Sequence, residues 1–343
     1  MADVLARRQG KLARLTLNRP AALHALTTEM CVAMTEALLG WREDGEVGAV
    51  LIDHAEGTRG FCAGGDIRML AESGAQDGKD ARQFFFTEYR LNHLLQTYPK
   101  PIVTIIDGVT MGGGVGISVH GPFRVATERT TFAMPETGIG LFPDVGGGWF
   151  LPRLPGQVGM WLALTGARIK SADSVAAGVA THYVQSTNLA GAIARIADAA
   201  NAATPKDAIK AALDVLSEDA GAAKELSAAN RAKIDALFAA DSVEGVVAAL
   251  KADGGEWAQA QLAALETKSP QTLKVAMRQL RTGAKLSSFA DNMKMEYRVG
   301  ARVVQRHDFL EGVRAVIVDK DFAPKWNPGA LEGVTDAILD EIF

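Results

Sequence analysis

The sequence has 343 residues, of which 48% are hydrophobic and 22% are charged, and its formal net charge is −4. These values are typical of a globular protein with a substantial core, and they exclude disordered, collagen-like and coiled-coil classes. The mild acidity and the 6% of aromatic residues give no basic footprint for a nucleic-acid partner.

Cysteine content and hydropathy bear on location. Cys31 and Cys62 are the only cysteines, which is too few for a disulfide framework or a four-thiolate zinc site. No stretch reaches roughly 18 consecutive apolar residues, and the N-terminal segment MADVLARRQGKLARL lacks the apolar block of a secretory signal. The sequence therefore predicts a cytoplasmic protein with no membrane partner.

Strand-like and helix-like patterns alternate along the N-terminal part of the chain. Alternating polar and apolar residues predict a strand at 11–17. Short apolar runs bounded by turn residues predict strands at 47–53 and 101–106, and the pattern extends through 123–126 and 131–133. Apolar residues at helical spacing predict helices at 27–41 and 80–97. This order predicts an α/β domain with parallel strands and crossover helices.

The composition changes after about residue 150, where the glycines thin out and alanine-rich helical patterns take over. We therefore predict two parts. Residues 1–200 form the α/β core with the active site, and residues 201–343 form a mainly helical region.

The 35 glycines are concentrated in clusters, one of which is MGGGVG at residues 111–116. A strand that turns through glycines into a helix presents backbone N–H groups to an anion or an oxyanion. Glycine also permits close packing of a strand against a helix. The cluster lacks the third glycine of a dinucleotide-binding fingerprint. An anion or oxyanion site and close packing of a strand against a helix both remain possible at this point.

A second cluster, FCAGGD at residues 61–66, follows a strand and precedes a helical pattern. Asp66 is placed to cap that helix. Cys62 lacks the context of a catalytic cysteine, so we interpret it as a packed thiol. Ser118 and His120 lie in GISVH, which lacks the second glycine of a serine-hydrolase GxSxG elbow.

The segment MPETGIGLFPDVGGG, residues 134–148, carries Glu136 and Asp144 in otherwise apolar surroundings broken by glycine and proline. This composition predicts a loop. Carboxylates are costly in such surroundings unless they are paired, act as caps or have a function. Two helix caps and a functional acid pair are both compatible with the pattern.

Several long motifs occur in order over about residues 11–330. They are FCAGGDIRML, MGGGVGISVHG, FRVATERTTFAMPETGIGLFPDVGGGWFLPRL, MEYRV, HDFLEGVRAVIVDKD and PKWNP. Together they resemble the hydrolase branch of the enoyl-CoA hydratase/isomerase (crotonase) superfamily. The resemblance implies an α/β crotonase (ClpP-like) fold, in which a spiral of ββα units is followed by a helical C-terminal region.

The resemblance also implies the roles of five residues. The backbone N–H groups of Ala63 and Gly113 form an oxyanion hole for a thioester carbonyl, and one such donor is typically worth about 3 to 4 kcal/mol to a transition state. Glu136 is the catalytic carboxylate, and Asp144 is the second carboxylate of the hydrolase branch. Glu88 matches a substrate-contacting acid, and substrate binding is implied for Glu88, Gly113, Glu136 and Asp144 together.

One departure from the hydratase pattern decides between activities. Hydratases use two glutamates, and the place of the first is held here by Gly116, which cannot transfer a proton. They usually have glycine where this chain has Asp144. Because a positioned acid or base contributes roughly 10²- to 10⁴-fold, water addition to an enoyl-CoA is disfavoured. The resemblance therefore implies hydrolysis of a short 3-hydroxyacyl-CoA thioester, with 3-hydroxyisobutyryl-CoA of valine breakdown as the expected substrate.

Other points stay open. A crotonase-type isomerase or hydratase, or a non-catalytic acyl-CoA-binding protein, is an alternative. Glu136 acts either as a general base or as a nucleophile that forms an anhydride. The resemblance implies no cofactor and no metal, because coenzyme A is part of the substrate. Arg19 and Lys320 are candidates for contacts to the CoA phosphates, and neither the acyl preference nor assembly into a homo-oligomer is decided.

Overall fold

The computed structural model describes residues 2–343. Within that range the strands, in chain order, are β1 (Val4–Gln9), β2 (Leu12–Leu17), β3 (Ala49–His54), β4 (Gly60–Cys62), β5 (Ile102–Ile106), β6 (Val109–Met111), β7 (Phe123–Ala126), β8 (Thr131–Ala133), β9 (Ile169–Lys170) and β10 (His182–Tyr183).

The helices of the same range alternate with these strands at first and then follow one another without strands. They are α1 (Thr28–Arg42), α2 (Ile67–Gly74), α3 (Lys79–Gln96), α4 (Gly113–Gly116), α5 (Gly147–Phe150), α6 (Val158–Thr165), α7 (Ser171–Ala176), α8 (Leu189–Ala199), α9 (Pro205–Leu216), α10 (Ala228–Leu237), α11 (Val243–Asp253), α12 (Glu256–Glu266), α13 (Pro270–Lys285), α14 (Phe289–Val303), α15 (His307–Val313) and α16 (Asp336–Ile342). The helical C-terminal region is therefore confirmed.

The chain divides into two compact units, and the first comprises residues 2–65, 90–132 and 169–225. Its larger sheet has the strand order β1-β2-β3-β5-β7-β10, in which every pair except β1 with β2 is parallel. The parallel strands are nearly continuous apolar runs because both faces of such a sheet are covered. The predicted alternation of parallel strands and crossover helices is confirmed.

Strand β1 was not predicted from the sequence. It pairs antiparallel with β2 at the edge of the sheet, through a turn in which Gly10 has a φ of 58°. Most of its side chains are exposed, so they show no apolar alternation. An edge strand of this kind depends on its neighbour and leaves little pattern in the sequence.

One cluster of buried apolar residues in the first unit lies on one face of the larger sheet. There Leu51, Val103 and Val125 are buried together with Ile196 of α8 and Ile209 of α9. The four short strands β4, β6, β8 and β9 form a second sheet. The glycine-rich turns follow β4 and β6, so this small sheet places them.

The second unit comprises residues 66–89, 133–168 and 226–343 and consists mainly of helices. This division differs from the predicted boundary at residue 200. The reason is packing: α2 lies against α15, and α5 and α6 lie against α13, so segments from the middle of the chain belong with the C-terminal helices. No helix within residues 2–343 is both long enough and apolar enough to cross a membrane.

Gly140, directly after the 3₁₀ turn Glu136–Ile139, should tolerate no side chain. Its φ is +70°, and an added Cβ would lie 2.1 Å from the backbone oxygen of Asp308. We expect Gly140→Ala to lower the free energy of unfolding by roughly 3 kcal/mol or more, because left-handed strain adds to a backbone overlap. Urea denaturation measures the loss.

Gly254→Ala is the matched control for this substitution. Gly254 also follows a helix with a positive φ, of +62°, but an added Cβ would lie 3.7 Å from its nearest neighbour. Only the backbone strain of about 1 to 2 kcal/mol is then expected. Equal losses for the two variants would contradict the packing described for Gly140.

Candidate active site

The loop after β4 is fixed by hydrogen bonds within the first unit. The Cys62 thiol donates to the carbonyl of His24 at 3.1 Å, and the N–H of Leu26 donates to the carbonyl of Gly64 at 2.8 Å. Cys62 is fully buried, which agrees with its interpretation as a packed thiol. Gly64 has a φ of +125°, a conformation that only glycine adopts easily.

Ala63 does not have the role that the sequence analysis gave it. Its N–H donates to the carbonyl of Leu23 at 3.0 Å and therefore cannot also bind a thioester oxygen. Two residues further on, the N–H of Gly65 donates to no oxygen within the described range. Gly65 could not be recognised from the sequence, because spacing alone does not show which amide of a glycine-rich loop already donates a hydrogen bond.

The glycine cluster at residues 111–116 has features of both interpretations, close packing and an N–H site for an oxyanion. An added Cβ at Gly114 would lie 2.4 Å from the carbonyl oxygen of Cys62, so this glycine permits close packing. Gly113 begins α4, and its N–H is one of the helix-start donors that lack an intrahelical acceptor. A Cβ at Gly64 would lie 3.9 Å from the Gly113 nitrogen, so the two loops are adjacent.

The second unit brings together the three predicted carboxylates. Glu88 lies on α3, Glu136 begins the 3₁₀ turn after β8, and Asp144 lies on the loop before α5. Their exposed fractions are only 1%, 4% and 5%. Charges this deeply buried are costly unless they have partners or a function.

The pKa values of the three groups report this burial. Burial raises the pKa of Glu136 well above its usual range, and the charge of Asp144 raises it further. The same two causes, in the same order, raise the pKa of Glu88. Burial also raises the pKa of Asp144 to about 6, against the opposing effect of a hydrogen bond from Tyr89. Several coupled acids with displaced pKa values are typical of a catalytic site.

Tyr89 is a member of this cluster that the sequence analysis did not find. Its hydroxyl donates to Oδ2 of Asp144 at 2.7 Å. Burial, followed by the charge of Asp144, raises the pKa of the Tyr89 hydroxyl, so the group remains a donor. Asp144 therefore has one oxygen fixed by a neutral partner.

Two carboxylate oxygens of the cluster have no hydrogen-bond partner within the described range. They are Oε1 of Glu88 and Oε2 of Glu136, both buried. Unpaired buried acceptors are uncommon because each one retains its desolvation penalty. Two of them in one acid cluster indicate a place where a ligand hydroxyl or a water donates.

The loop that carries Asp144 is held by a further buried acid, Glu296 on α14. Its carboxylate accepts from the N–H of Gly146 at 2.7 Å and from the N–H of Gly148 at 2.8 Å. Burial raises the pKa of Glu296 to about 7. Because Glu296 lies 150 residues from Gly146 in the sequence, no local spacing could have indicated this pairing.

The remaining sequence predictions have simple outcomes. Asp66 caps α2, since its side chain accepts from the N–H of Met69. Ser118 donates to the carbonyl of Gly114 at 2.9 Å, which agrees with the rejection of a serine nucleophile. Arg19 donates to the carbonyl of Ala25 at 2.8 Å, and Lys320 is exposed. Contacts from Arg19 and Lys320 to the CoA phosphates stay predictions.

Tyr89→Phe should change the pH dependence of any reaction that uses ionised Asp144. The hydroxyl stabilises the charged carboxylate, so its loss raises the pKa of Asp144 above about 6. We expect activity to fall about three- to tenfold at pH 6 and less at pH 8. A pH profile of kcat/KM measures this change. Tyr98→Phe is the control: it loses a hydrogen bond to the Leu38 carbonyl and should keep the wild-type profile. Identical profiles for the wild type and both variants would contradict the role of Tyr89.

Comparison with known proteins agrees with the fold. A profile of the enoyl-CoA hydratase/isomerase family matches residues 12–343. The chain therefore belongs to the enoyl-CoA hydratase/isomerase family, and its fold is the crotonase fold that the sequence predicted.

Curated relatives place the chain more narrowly. The protein named 3-hydroxyisobutyryl-CoA hydrolase, mitochondrial, is 44% identical in Gallus gallus, over 100% of this chain and 89% of the relative. The protein of the same name in Danio rerio is 47% identical, over 99% and 89%. The predicted resemblance to the hydrolase branch is confirmed. These relatives are mitochondrial, so the prediction of a cytoplasmic location is wrong.

Two solved structures resemble the chain over nearly its whole length but have different titles. A carnitinyl-CoA dehydratase from Mycobacterium thermoresistibile is 41% identical with a TM-score of 0.91, covering 99% of this chain and 96% of its own. An enoyl-CoA hydratase from Rhodobacter sphaeroides 2.4.1 is 38% identical with a TM-score of 0.89, covering 99% and 97%. Overall similarity therefore does not separate hydrolysis from water addition.

Proposed function

We propose that this protein hydrolyses 3-hydroxyisobutyryl-CoA to 3-hydroxyisobutyrate and coenzyme A. The observation that carries the proposal is the buried cluster of Glu88, Glu136 and Asp144, in which two carboxylate oxygens lack a hydrogen-bond partner among residues 2–343. The names of the curated relatives support the same substrate. A hydroxyl on the acyl group supplies the donor that such oxygens require.

In the proposed reaction the N–H groups of Gly113 and Gly65 polarise the thioester carbonyl and bind the oxyanion that develops. Ionised Glu136 activates the attack, either by taking a proton from water or by forming an anhydride that water then opens. Collapse of the tetrahedral intermediate breaks the C–S bond. Ionised Asp144 orients the substrate hydroxyl or the water, and the proton that the water releases passes through the two carboxylates to the departing thiolate. Coenzyme A enters as part of the substrate, and we propose that no metal or other cofactor takes part.

Water addition to an enoyl-CoA is the second candidate, because two closely similar structures carry titles for that class of reaction. It requires a second positioned acid. Gly116, at the place where hydratases have one, is buried and has no side chain that could transfer a proton. Asp144 and its bond from Tyr89 also have no place in a hydratase mechanism that uses glycine there.

A series of three thioesters tests the proposal. A thiol reagent measures CoA release from 3-hydroxyisobutyryl-CoA, from 3-hydroxypropionyl-CoA and from isobutyryl-CoA, which lacks the hydroxyl. We expect the first two to differ by about 10- to 200-fold at most, because they differ by one methyl group. CoA release from isobutyryl-CoA should be slower than from 3-hydroxyisobutyryl-CoA by about 10³-fold or more. Without the hydroxyl, the substrate gives the buried carboxylate oxygens no hydrogen-bond donor. Equal rates for the two isobutyryl thioesters would contradict the proposal.

A further inference from the structure

Glu296 on α14 is a fully buried acid that the proposed mechanism does not use directly. Its two oxygens accept four hydrogen bonds, all from neutral donors. Those donors are the N–H groups of Gly146 and Gly148, Nδ2 of Asn292 at 2.8 Å and Nε2 of Gln279 at 3.0 Å. A carboxylate that accepts only N–H groups makes strong, charge-assisted bonds. The four bonds explain how the charge is tolerated, but not why two of them go to one loop.

That loop contains an unfavourable backbone conformation directly after Asp144. Val145 has a φ of +51°, and Gly146 follows with a φ of +92°. A β-branched residue at positive φ is a genuine outlier, and it persists only where the surrounding structure holds it. Glu296 holds the segment on its C-terminal side. On the other side of Asp144, Nε2 of Gln279 donates to the carbonyl of Pro143 at 2.7 Å.

We propose that Glu296 is a positioning residue for Asp144. It fixes the Asp144–Gly148 loop through the N–H groups of Gly146 and Gly148, and Gln279 completes the restraint at Pro143. The strained Val145 then directs the Asp144 carboxylate towards the Tyr89 hydroxyl rather than relaxing to an ordinary loop conformation. Glu296 acts on the reaction only through Asp144.

A double-mutant cycle on kcat tests this dependence, which rests on the proposed function. Glu296→Gln keeps the shape of the side chain but replaces one acceptor oxygen by a donor NH₂ group. We expect it to lower kcat about 10- to 100-fold with KM changed less than about threefold. In an Asp144→Asn background the same substitution should lower kcat by no more than about twofold, because the group that it positions is already absent. Equal factors in the two backgrounds would overturn the proposal.

Two further variants keep the test decisive. Asp308→Asn removes another fully buried carboxylate, which accepts from the N–H of Asn327 at 2.8 Å and makes no described bond to residues 143–148. It controls for a general loss of stability, followed by thermal melting. If Glu296→Gln does not fold, Gln279→Leu takes its place in the cycle, and we expect a loss of about three- to tenfold that again disappears with Asp144→Asn.

Hydrogen exchange gives a readout that does not depend on activity. The N–H groups of Gly146 and Gly148 should exchange at least about tenfold faster in Glu296→Gln than in the wild type, because their acceptor is weakened. A wild-type protein that releases no CoA but shows this Glu296-dependent protection would refute the proposed function alone. Unchanged exchange in residues 143–148 would refute the positioning role alone.

Discussion

Replacing Glu136 by glutamine is expected to lower the rate of CoA release from 3-hydroxyisobutyryl-CoA by about 10³- to 10⁴-fold. Glutamine has nearly the same shape, but it can neither take a proton from water nor attack the thioester. Both routes that remain open for Glu136 begin from its ionised form, so both predict the loss. Steady-state kinetics with a thiol reagent measures it, and Glu36→Gln, at an exposed position on α1, is the matched control.

The stability of the same variant separates a catalytic effect from a folding defect. The pKa of Glu136 is raised in the folded protein, so the folded state binds more protons than the unfolded state between the usual pKa of 4.5 and the raised one. The contribution of Glu136 to stability is therefore complete below pH 4.5 and is lost as the pH rises. Glutamine does not titrate, so Glu136→Gln should gain stability relative to the wild type from pH 5 to pH 8. A stability difference between the two proteins that stays constant from pH 5 to pH 8 would contradict this account.

Asp144→Asn is expected to lower the same rate by about 10²- to 10³-fold. Asparagine can still accept the hydrogen bond from Tyr89, but it carries no charge and cannot relay a proton from the attacking water to the leaving thiolate. The charge of Asp144 also raises the pKa of Glu136, so the variant should shift the acid limb of kcat/KM to lower pH. This direction is opposite to the one expected for Tyr89→Phe, which makes the pair of pH profiles a sharp test. An acid limb that stays in place would show that Asp144 and Glu136 are not coupled.

The central strands and their crossover helices could be predicted from the sequence because each carries its own pattern. Strand β7 (Phe123–Ala126) and the β8 strand have the predicted bounds, since turn residues delimit both. The exposed edge strand β1 depends on pairing and left no such pattern. The division into units depends on which helices pack together, so it differs from the boundary near residue 200 that composition predicted.

The site residues that could be predicted are those that stand out within their own segment of the sequence. Glu136 and Asp144 stood out because carboxylates are rare in an apolar, glycine-rich loop. The Tyr89–Asp144 bond joins residues 55 positions apart, and it needs the fold to be seen. One signal for Glu296 was present: Asn292 and Glu296 are spaced by four residues on the face of α14 that also buries Met293 and Val299. Polar residues on an apolar helix face generally have buried partners.

One comparison tests the central claim most directly, namely that the cluster of Glu136 and Asp144 makes this family member a hydrolase. The same purified protein is assayed for CoA release from 3-hydroxyisobutyryl-CoA and for hydration of crotonyl-CoA, followed by loss of the enoyl-thioester absorbance. We predict a kcat/KM for CoA release at least about 10³-fold above that for hydration, and its collapse in Glu136→Gln. Rapid hydration of crotonyl-CoA, or CoA release that survives Glu136→Gln, would contradict the claim.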